Sequence, residues 1–362
     1  MGHVLISPLD WGLGHASRDV PIIRELLRRG HEVTVAASGN ALTLLEREFP
    51  TCKFIHFPDY PLAYNQGRFF FPTFISHMPA LIRALSTERE TLTKILDGSK
   101  YDLIISDSRP GVYSKKIPSF QITHQTHQSF PFIIWPIELI ALYVNGRGFS
   151  KYTGLIIPDN PPGERSLAGK LSGTFFPGTK KRAYYCGILG SIGKVPVKKR
   201  LDWLILISGM EPQRTRLEKI LLPQVPDLPG EKVVLLGKPK ENQVTELADG
   251  TRCYSYVTYQ EKAELMSGAD AILCRSGYTT MMDLAELGLS RGLFIPTPGQ
   301  WEQEYLSRYY KQKGWFLSKS QYRLRLARAI DTIDRYSGFP DMPKTEENAK
   351  RLYEELLSQY VE

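Results

Sequence analysis

The sequence predicts an α/β protein with two Rossmann-like βαβ domains that face each other across a cleft. The chain of 362 residues is too long for one ordinary core and fits two domains. Both halves repeat one pattern, in which a short apolar run ends in small or polar residues and an amphipathic helix follows. The predicted order is an N-terminal domain over residues 1–186, a linker over 187–200, a second domain over 201–345, and a helix over 346–362 that could pack back on the first domain.

The chain opens with a strand, a glycine loop, a helix and a second strand. We predict the two strands over residues 3–7 and 32–37, with the helix over 16–29 between them. The loop spacing Gly12-x-Gly14-x-x-Ser17 nearly matches the dinucleotide-binding fingerprint, which requires a carboxylate at the end of the second strand. Here that strand ends in Ala-Ala-Ser-Gly, so a redox enzyme that binds a dinucleotide is poorly supported.

His15 ends the glycine loop and starts the predicted helix. The helix dipole and the neighbouring N–H groups disfavour a positive charge at such a position, so the imidazole is expected to be neutral. A neutral imidazole can act as a general base. The alternative is a histidine that merely caps the helix, and the local sequence does not separate the two.

The rest of the first half adds candidates for binding an acceptor substrate. Residues 58–79 are rich in aromatic side chains, which suits a loop packed on the core, an acceptor-binding surface or contact with a bilayer interface. A helix is predicted over 80–96 and strands over 102–106 and 119–122. The polar candidates for acceptor binding are Asp10, Asp107, His124 and His127. Metal binding by the two later histidines is not expected, because no third ligand is in view.

The second half restarts the pattern at residue 201. Strands are predicted over 203–207, 232–236 and 253–257, and helices over 214–222 and 261–267. Gly209 follows the first of these strands, and Arg214 lies in the first turn of the next helix. A guanidinium at this position could pair with a phosphate, although an ordinary surface residue of a helix explains it equally well.

Residues 270–304 are the most informative stretch of the chain. A strand over 271–274 leads to Ser276-Gly277, where a helix is predicted to begin, and Gly288 is a natural left-handed cap for its end. A further strand is predicted over 292–295. Open parallel sheets bind ligands at the carboxyl ends of their strands, and a helix N-terminus suits a phosphate. The side chains that could then bind sugar hydroxyls are Asp283, Gln300, Gln303 and Glu304.

The net charge of +8 favours an anionic partner but does not choose among nucleic acid, an anionic membrane and a phosphate-bearing substrate. The sequence has no zinc-finger spacing and no RNP motif, so nucleic acid is not expected. It has no Cys-x-x-Cys pair, and neither a zinc site nor a disulfide framework is indicated. A signal peptide and an apolar stretch of about 20 residues are also lacking, which predicts a cytoplasmic protein.

The Gly-x-Gly-His loop of the first half and the Arg-Ser-Gly…Gln pattern of the second together resemble the GT-B glycosyltransferases. Within them the likeness is to the MurG group, of glycosyltransferase family 28 type, which adds N-acetylglucosamine from UDP-GlcNAc to a lipid-linked acceptor. The loop at residues 12–15 is similar to the MurG glycine loop, whose histidine lies near the acceptor. Arg275-Ser276-Gly277 with Thr280 and Asp283 is similar to the donor motif Arg-Ser-Gly-x-x-Thr-x-x-Glu, whose carboxylate binds the ribose hydroxyls.

Three departures from that pattern stand out. Asp283 is one methylene shorter than the family's Glu. Gln303-Glu304 stands where the family has a Gln-Gln pair that contacts the donor sugar, so an acceptor-only carboxylate replaces an amide. Residues 208–211, Ser-Gly-Met-Glu, replace a glycine-rich phosphate turn with bulkier side chains. These differences point to a relative with another acceptor, and they leave the donor sugar open.

The resemblance implies an enzyme, a hexosyltransferase that moves a hexosyl or N-acetylhexosaminyl group from a UDP-linked sugar to a hydroxyl of a lipid-linked or other cell-envelope acceptor. His15 would deprotonate that hydroxyl, and the donor would be bound by Gly14, Gly209, Arg214, Val257, Arg275, Ser276, Gly277, Thr280, Asp283, Gln300, Gln303 and Glu304. No tightly bound cofactor and no metal are expected, since no Asp-x-Asp motif stands in an obvious place. The positive charge and the aromatic stretch suit a peripheral position at the cytoplasmic face of a membrane. Two alternatives stay open: an enzyme like the UDP-sugar 2-epimerases, and a non-catalytic sugar-nucleotide-binding protein.

Overall fold

The computed structural model describes residues 1–11, 14–60, 70–127, 143, 145–175, 177–197, 200–238 and 241–361, and for 70–78 it describes the backbone only. The chain divides into two compact units. The first contains Met1–Ser191 together with Pro343–Glu362, and the second contains Ile192–Met342.

The first unit is built on a seven-stranded sheet. Its strands are β1 (His3–Pro8), β2 (Glu32–Ala37), β3 (Lys53–His56), β4 (Leu103–Asp107), β5 (Ser119–Ile122), β6 (Gly154–Ile157) and β7 (Ala183–Tyr185). They lie in the order β3-β2-β1-β4-β5-β6-β7, and every neighbouring pair is parallel. The central strands read as continuous apolar runs because both faces of a parallel sheet are covered. The strand order reverses beside β1, which is where open α/β sheets bind their ligands.

The helices of the first unit that precede the second unit include α1 (Gly14–Arg28), α2 (Gly39–Glu48), α3 (Phe70–Gly98) and the short α4 (Pro177–Lys180). The sequence pattern predicts the start of α3 at residue 80, but the helix begins at Phe70. Pro72 lies in its first turn, where a missing N–H leaves no helical bond unmade, and Pro79 removes one bond from the interior. The two prolines therefore do not prevent the helix from beginning before residue 80.

The second unit also carries a seven-stranded sheet, in the order β10-β11-β9-β8-β12-β13-β14. Its strands are β8 (Leu201–Leu206), β9 (Lys232–Leu235), β10 (Val244–Glu246), β11 (Arg252–Tyr254), β12 (Ala269–Cys274), β13 (Gly292–Phe294) and β14 (Leu317–Ser318). All pairs are parallel except β10 with β11, which are antiparallel at one edge. Its helices are α5 (Gln213–Leu221), α6 (Tyr259–Gly268), α7 (Tyr278–Leu287), α8 (Trp301–Gln312) and α9 (Leu326–Ile330).

Local sequence signals account for the ends of the second unit's helices. Thr258 and Glu261 form a capping box at the start of α6, each side chain bonding the other's backbone N–H. Gly288 ends α7 with φ of 68°, a left-handed conformation that glycine adopts without strain. The strand–turn–helix–strand pattern predicted for residues 270–304 is thus present.

The last helix, α10 (Thr345–Glu355), returns to the first unit. Its apolar side buries Ala349 and Leu352 in the same core cluster as the inner face of α1. The side-chain amide of Asn348 donates to the carbonyl of Ile188 at 2.9 Å, and Arg351 donates to the carbonyl of Cys186 at 3.0 Å. The predicted fold, two Rossmann-like units with a C-terminal helix that packs on the first, is confirmed.

Within the described part of the chain, no helix combines the length and the apolar run needed to cross a bilayer.

Candidate functional site

Three neighbouring strands of the first unit end side by side, and their register brings three predicted residues together. Pro8 of β1 pairs with Asp107 of β4, and Asp107 pairs with Ile122 of β5. His15 lies in the first turn of α1, which follows β1, and His124 lies two residues beyond β5. His15, Asp107 and His124 therefore meet at the carboxyl edge of the sheet, beside the reversal in strand order.

His15 bonds directly to Asp107. Its Nδ1 lies 2.9 Å from Oδ1 of Asp107, and the histidine side chain keeps a relative exposure of 20% while the carboxylate has none. The carboxylate accepts from Nδ1–H, so the lone pair of His15 is on Nε2. An imidazole oriented by a buried carboxylate, with its other nitrogen bare, has the arrangement of a general base.

Arg18, which the sequence interpretation missed, lies between these groups. Its Nε donates to Oδ2 of Asp107 at 2.5 Å, and its Nη2 donates to Oδ1 of the same carboxylate. Its Nη1 lies 2.9 Å from Nδ1 of His124. The side chain is only 1% exposed. The sequence contained one signal for this role. Arg18 and Asp19 fall among the apolar positions of α1, which indicates that both side chains are buried and need partners.

The two buried carboxyl groups of this cluster have opposite electrostatic environments. Burial alone would raise the pKa of Asp107, but the Arg18 charge and then His15 outweigh it and hold that pKa well below its ordinary value. Burial raises the pKa of Asp19 well above its ordinary value, and the charge of Asp107 raises it further. No described N–H or O–H group donates to the Asp19 carboxyl. The cluster thus holds one stable carboxylate and one carboxyl that favours its proton.

Asp10 and His127, the other two acceptor candidates, have different surroundings. The Asp10 carboxylate caps α2 by accepting from the backbone N–H of Asn40 at 3.1 Å and of Ala41 at 2.9 Å. His127 is buried, with its Nδ1 3.3 Å from the carbonyl of Lys170 and its ring edge-on to Phe175 at 4.8 Å. Their roles in acceptor binding stay predictions.

In the second unit, the predicted donor residues follow three neighbouring strands. Gly209 follows β8 with φ of 117°, Ser276 and Gly277 follow β12, and Gln300 follows β13. Gly277 is the N-cap of α7, and a Cβ added there would meet nothing within 4 Å. Backbone can therefore approach a ligand closely at the start of a ten-residue helix.

Ser276 and Gln303 tie this turn to α8. The Ser276 hydroxyl donates to the carbonyl of Gln303 at 2.9 Å and accepts from the Ser307 hydroxyl at 3.1 Å. The Gln303 side-chain oxygen accepts from the N–H of Thr297 at 2.9 Å, and Glu304 accepts from the N–H of Gly299 at 3.0 Å. The Gln-Glu pair thus shapes the loop after β13, and the Gln303 amide NH₂ has no bond to a described residue.

Arg275 is a structural element of the same region. It is 2% exposed, and its guanidinium donates to the carbonyls of Ile295, Pro296 and Gln213 and to the side chain of Gln321, at 2.9 to 3.1 Å. Burial lowers its pKa to about 10. The guanidinium therefore joins the loops that follow β8, β12 and β13, and its predicted contact with the donor stays a prediction.

The remaining donor candidates differ in how far their charges are already matched. Arg214 forms ion pairs with Glu211 and Glu218, each at 2.5 Å. Asp283 is 1% exposed; its Oδ1 accepts from the N–H of Ile192 at 3.3 Å, and Lys262 Nζ lies 3.9 Å from its Oδ2. Thr280 and Val257 are partly buried. The roles of these four residues in binding the donor stay predictions.

Some predicted features lie outside the described residues. These are Gly12 of the glycine loop and residues 61–69 of the aromatic stretch, together with the side chains of 70–78. Among the residues that are described, no group of three His, Cys, Asp or Glu side chains could hold a metal ion.

Comparisons with known proteins find similarity over part of the second half and over nearly the whole chain. The C-terminal domain of glycosyltransferase family 28 matches residues 218–356. An uncharacterized glycosyltransferase of Methanosarcina acetivorans is 24% identical over 94% of this chain and 96% of its own length. The UDP-N-acetylglucosamine–N-acetylmuramyl-(pentapeptide) pyrophosphoryl-undecaprenol N-acetylglucosamine transferase of Corynebacterium jeikeium is 40% identical over 76 residues, 20% of each chain.

A solved structure shows the same fold over nearly the whole chain. The crystal structure of Acinetobacter baumannii MurG has a TM-score of 0.56 at 13% identity and covers 92% of this chain and 91% of its own. Similarity at that identity establishes the fold and not the substrates. Together with the family 28 domain and the Methanosarcina relative, it indicates a glycosyltransferase with the GT-B fold that is similar to MurG.

Proposed function

We propose that this glycosyltransferase moves a hexosyl group from a UDP-linked sugar to a hydroxyl of a lipid-linked or other cell-envelope acceptor. The observation that carries the proposal is His15 at the start of α1, bonded through Nδ1 to the buried carboxylate of Asp107. The activity for which the Corynebacterium relative is named, a transfer from UDP-N-acetylglucosamine to an undecaprenol-linked acceptor, supports the choice of donor and acceptor class.

In the first unit, Nε2 of His15 takes the proton of the acceptor hydroxyl as its oxygen attacks the anomeric carbon. The new bond joins acceptor oxygen to anomeric carbon, and the bond from that carbon to the diphosphate breaks. The electron pair leaves with the diphosphate. Asp107 stabilises the imidazolium that forms, because its carboxylate already accepts from Nδ1–H at 2.9 Å. His124 would contact the acceptor from the neighbouring strand end.

In the second unit, the departing diphosphate would lie at the start of α7. The N–H groups of its first turn and the helix dipole stabilise the charge that develops there, and Gly277 leaves room for close approach. Asp283 would accept the ribose hydroxyls, while Gln303 and Glu304 would bind the sugar. We propose that this cradle makes departure independent of a bound metal.

A binding screen followed by a transfer assay tests the proposal. UDP-, GDP-, dTDP- and ADP-linked sugars are screened by thermal shift on the full chain, and transfer from the best binder to prenyl-phosphate-linked acceptors is then measured with and without EDTA. UDP-sugars should give the largest shift, and transfer should survive EDTA. A preference for another base would overturn the UDP-linked donor. Strict dependence on Mg²⁺ would overturn metal-independent departure of the diphosphate.

We also propose that the protein works in the cytoplasm at an anionic membrane surface. Seven exposed cations occupy the segments that precede β5, β6 and β7, at the amino edge of the first sheet: Lys115, Lys116, Arg147, Lys151, Lys180, Lys181 and Arg182. These segments contact one another, since Lys151 lies 5.4 Å from the Tyr113 ring and Arg182 donates to the Tyr152 carbonyl at 2.8 Å. Such a patch attracts anionic lipid.

Flotation with vesicles tests this location. Binding to anionic vesicles should fall with salt and with Lys115→Glu/Lys116→Glu, while neutral vesicles should not bind. Lys311→Glu/Lys313→Glu in the second unit is the control for net charge. Binding that ignores salt and the first pair of substitutions would contradict the proposal.

A further inference from the structure

Arg18 lies against both histidines of the first-unit site. Its Nη2 is 3.0 Å from Nδ1 of His15, and its Nη1 is 2.9 Å from Nδ1 of His124. The same Nη2 also donates to the Asp107 carboxylate and lies 3.2 Å from the Ser108 hydroxyl. A guanidinium has five N–H donors in a fixed plane and no acceptor. Its neighbours must therefore offer lone pairs wherever an N–H points at them.

For His15, the carboxylate decides where the proton lies. Nδ1 is 2.9 Å from Oδ1 of Asp107, a distance that places lone pair against lone pair unless Nδ1 carries a proton. Asp107 is held ionised by Arg18, so the proton of the bond belongs to the imidazole. The Nη2 hydrogens of Arg18 have Oδ1 and the Ser108 hydroxyl to point at, and they do not need the His15 lone pair. His15 thus has its proton on Nδ1.

For His124, the opposite holds. The group that faces its Nδ1 at 2.9 Å is a guanidinium N–H, which can only donate. Nδ1 of His124 must then be the bare nitrogen, and the proton of the neutral ring lies on Nε2. Nε2 of Gln125 lies 3.4 Å from Nε2 of His124, and an Nε2–H on His124 requires this amide to be flipped so that its oxygen faces the ring.

We propose that the two histidines are held in opposite tautomers, His15 by the Asp107 carboxylate and His124 by Arg18, which is a positioning residue for that ring. His15 offers a bare Nε2 and can take a proton, whereas His124 offers an Nε2–H and can only donate a hydrogen bond. The use of this difference in catalysis rests on the proposed function. His15 alone would act as the base, and His124 would bind an oxygen of the acceptor without competing for its proton.

The charges of the cluster agree with this division. The cation of Arg18 is balanced by the buried carboxylate of Asp107, and the neighbouring Asp19 favours its protonated form. A proton on Nδ1 of His124 would set an N–H donor against the guanidinium and add a positive charge beside it. Arg18 therefore disfavours a charged His124.

The tautomers can be observed directly in the wild-type chain. Long-range proton–nitrogen correlation spectra of protein labelled with ¹⁵N at its seven histidines distinguish a bare ring nitrogen from a protonated one. His15→Gln and His124→Gln identify the two spin systems by removing them. The expected result is Nδ1–H for His15 and Nε2–H for His124. The same tautomer in both rings, or a charged His124 at neutral pH, would overturn the proposal.

Arg18→Lys shows whether Arg18 is the cause. A lysine can still pair with Asp107, but its single ammonium cannot hold the bidentate geometry and reach His124 as well. His15 should keep its tautomer while His124 becomes a mixture, and Arg24→Lys, on the exposed face of the same helix, should change neither. An unchanged His124 in a folded Arg18→Lys protein would contradict the inference.

The tautomer result is independent of activity. The stated tautomers in a protein that transfers no sugar would reject the proposed function and keep this inference. An active protein with Nδ1–H on His124 would reject this inference and keep the proposed function.

Discussion

The two units end their sheets in the same way but place different chemistry there. In the first unit, a nearly buried histidine meets an ion pair, Arg18 with Asp107, and a second buried carboxyl, Asp19. In the second unit, the turn after β12 is built from a serine hydroxyl, a glycine backbone and the start of a helix. The buried cation of this turn, Arg275, donates to carbonyl groups of the protein.

The difference indicates a division of labour. A group that moves a proton needs charged partners at short range, in a medium that screens them poorly. A cradle for a diphosphate needs dipoles that point at the incoming charge and do not have to reorganise. The first unit has charged partners at short range around His15. The second unit has backbone dipoles at the start of α7. The following substitutions test that comparison.

His15→Ala should have the largest effect. Loss of a general base lowers the rate of transfer by a factor on the order of 10²–10⁴. The affinity for the nucleotide sugar, measured by calorimetry, should stay nearly the same, because all of the proposed donor residues except Gly14 lie in the other unit. His56→Ala, at an exposed position on β3, is the control. Unchanged turnover would remove His15 from its role, and a loss of donor affinity would break the division between the units.

Asp107→Asn should destabilise the first unit. The substitution leaves the buried guanidinium of Arg18 without its carboxylate, and breaking a buried pair in this way costs about 3–5 kcal/mol of unfolding free energy. Urea denaturation followed by a probe in the first unit measures the effect. Asp97→Asn, at an exposed position near the end of α3, should stay within about 0.5 kcal/mol of wild type. A loss no greater than that of the control would show that the cluster tolerates an unpaired Arg18.

Asp283→Asn should weaken binding of the donor. Charge-assisted hydrogen bonds are roughly twice as strong as neutral ones, so the loss should be about 1.4 kcal/mol, or tenfold in Kd. Calorimetry with the ribonucleotide and its 2′-deoxy form measures it. The variant should discriminate less between the two forms, and Asp270→Asn should behave as wild type. Full discrimination by the variant would exclude ribose binding by Asp283.

Asp19→Asn should change how stability depends on pH, with the smallest effect of the four. Because the folded-state pKa of Asp19 is raised, its stabilising contribution is present below the unfolded pKa and is lost as pH rises through the folded pKa. An asparagine has no proton to lose. The free energy of unfolding of the variant should therefore rise relative to that of wild type as pH rises, by at most about 1.4 kcal/mol per pH unit. Denaturation at several pH values gives this difference. A difference that shrinks with rising pH would mean that Asp19 is ionised in the folded protein.

Local patterns were enough to predict most of the framework. The strands at residues 32–37 and 119–122 and the left-handed end of α7 at Gly288 follow from apolar runs and glycine chemistry, which act over a few residues. The start of α3 was misplaced because residues 70–79 belong to the aromatic stretch that was interpreted as a loop or a binding surface, whereas the helix includes them and has Pro72 in its first turn. His15 was predicted from its place between a glycine loop and a helix.

The partners of His15 could not be predicted from local patterns. Arg18 and Asp19 lie on the helix that His15 begins, but Asp107 and His124 are 89 and 106 residues from Arg18 along the chain. Only the parallel register of β1, β4 and β5 places the ends of those strands next to each other. Arg275 was predicted to bind the donor from its motif, and only the folded chain shows its bonds to the loop after β13, to the start of α5 and to Gln321.

The amino-acid sequence alone therefore determined the type and order of the elements, the doubling of the βαβ pattern and the positions where ligands bind such sheets. These depend on periodicity and on turn residues, which are local. The tertiary structure decided which charges neutralise each other, which nitrogen of each histidine is bare, and which polar residues hold loops in place. Those properties depend on distances of a few ångströms between residues far apart in the chain, and no local pattern records them.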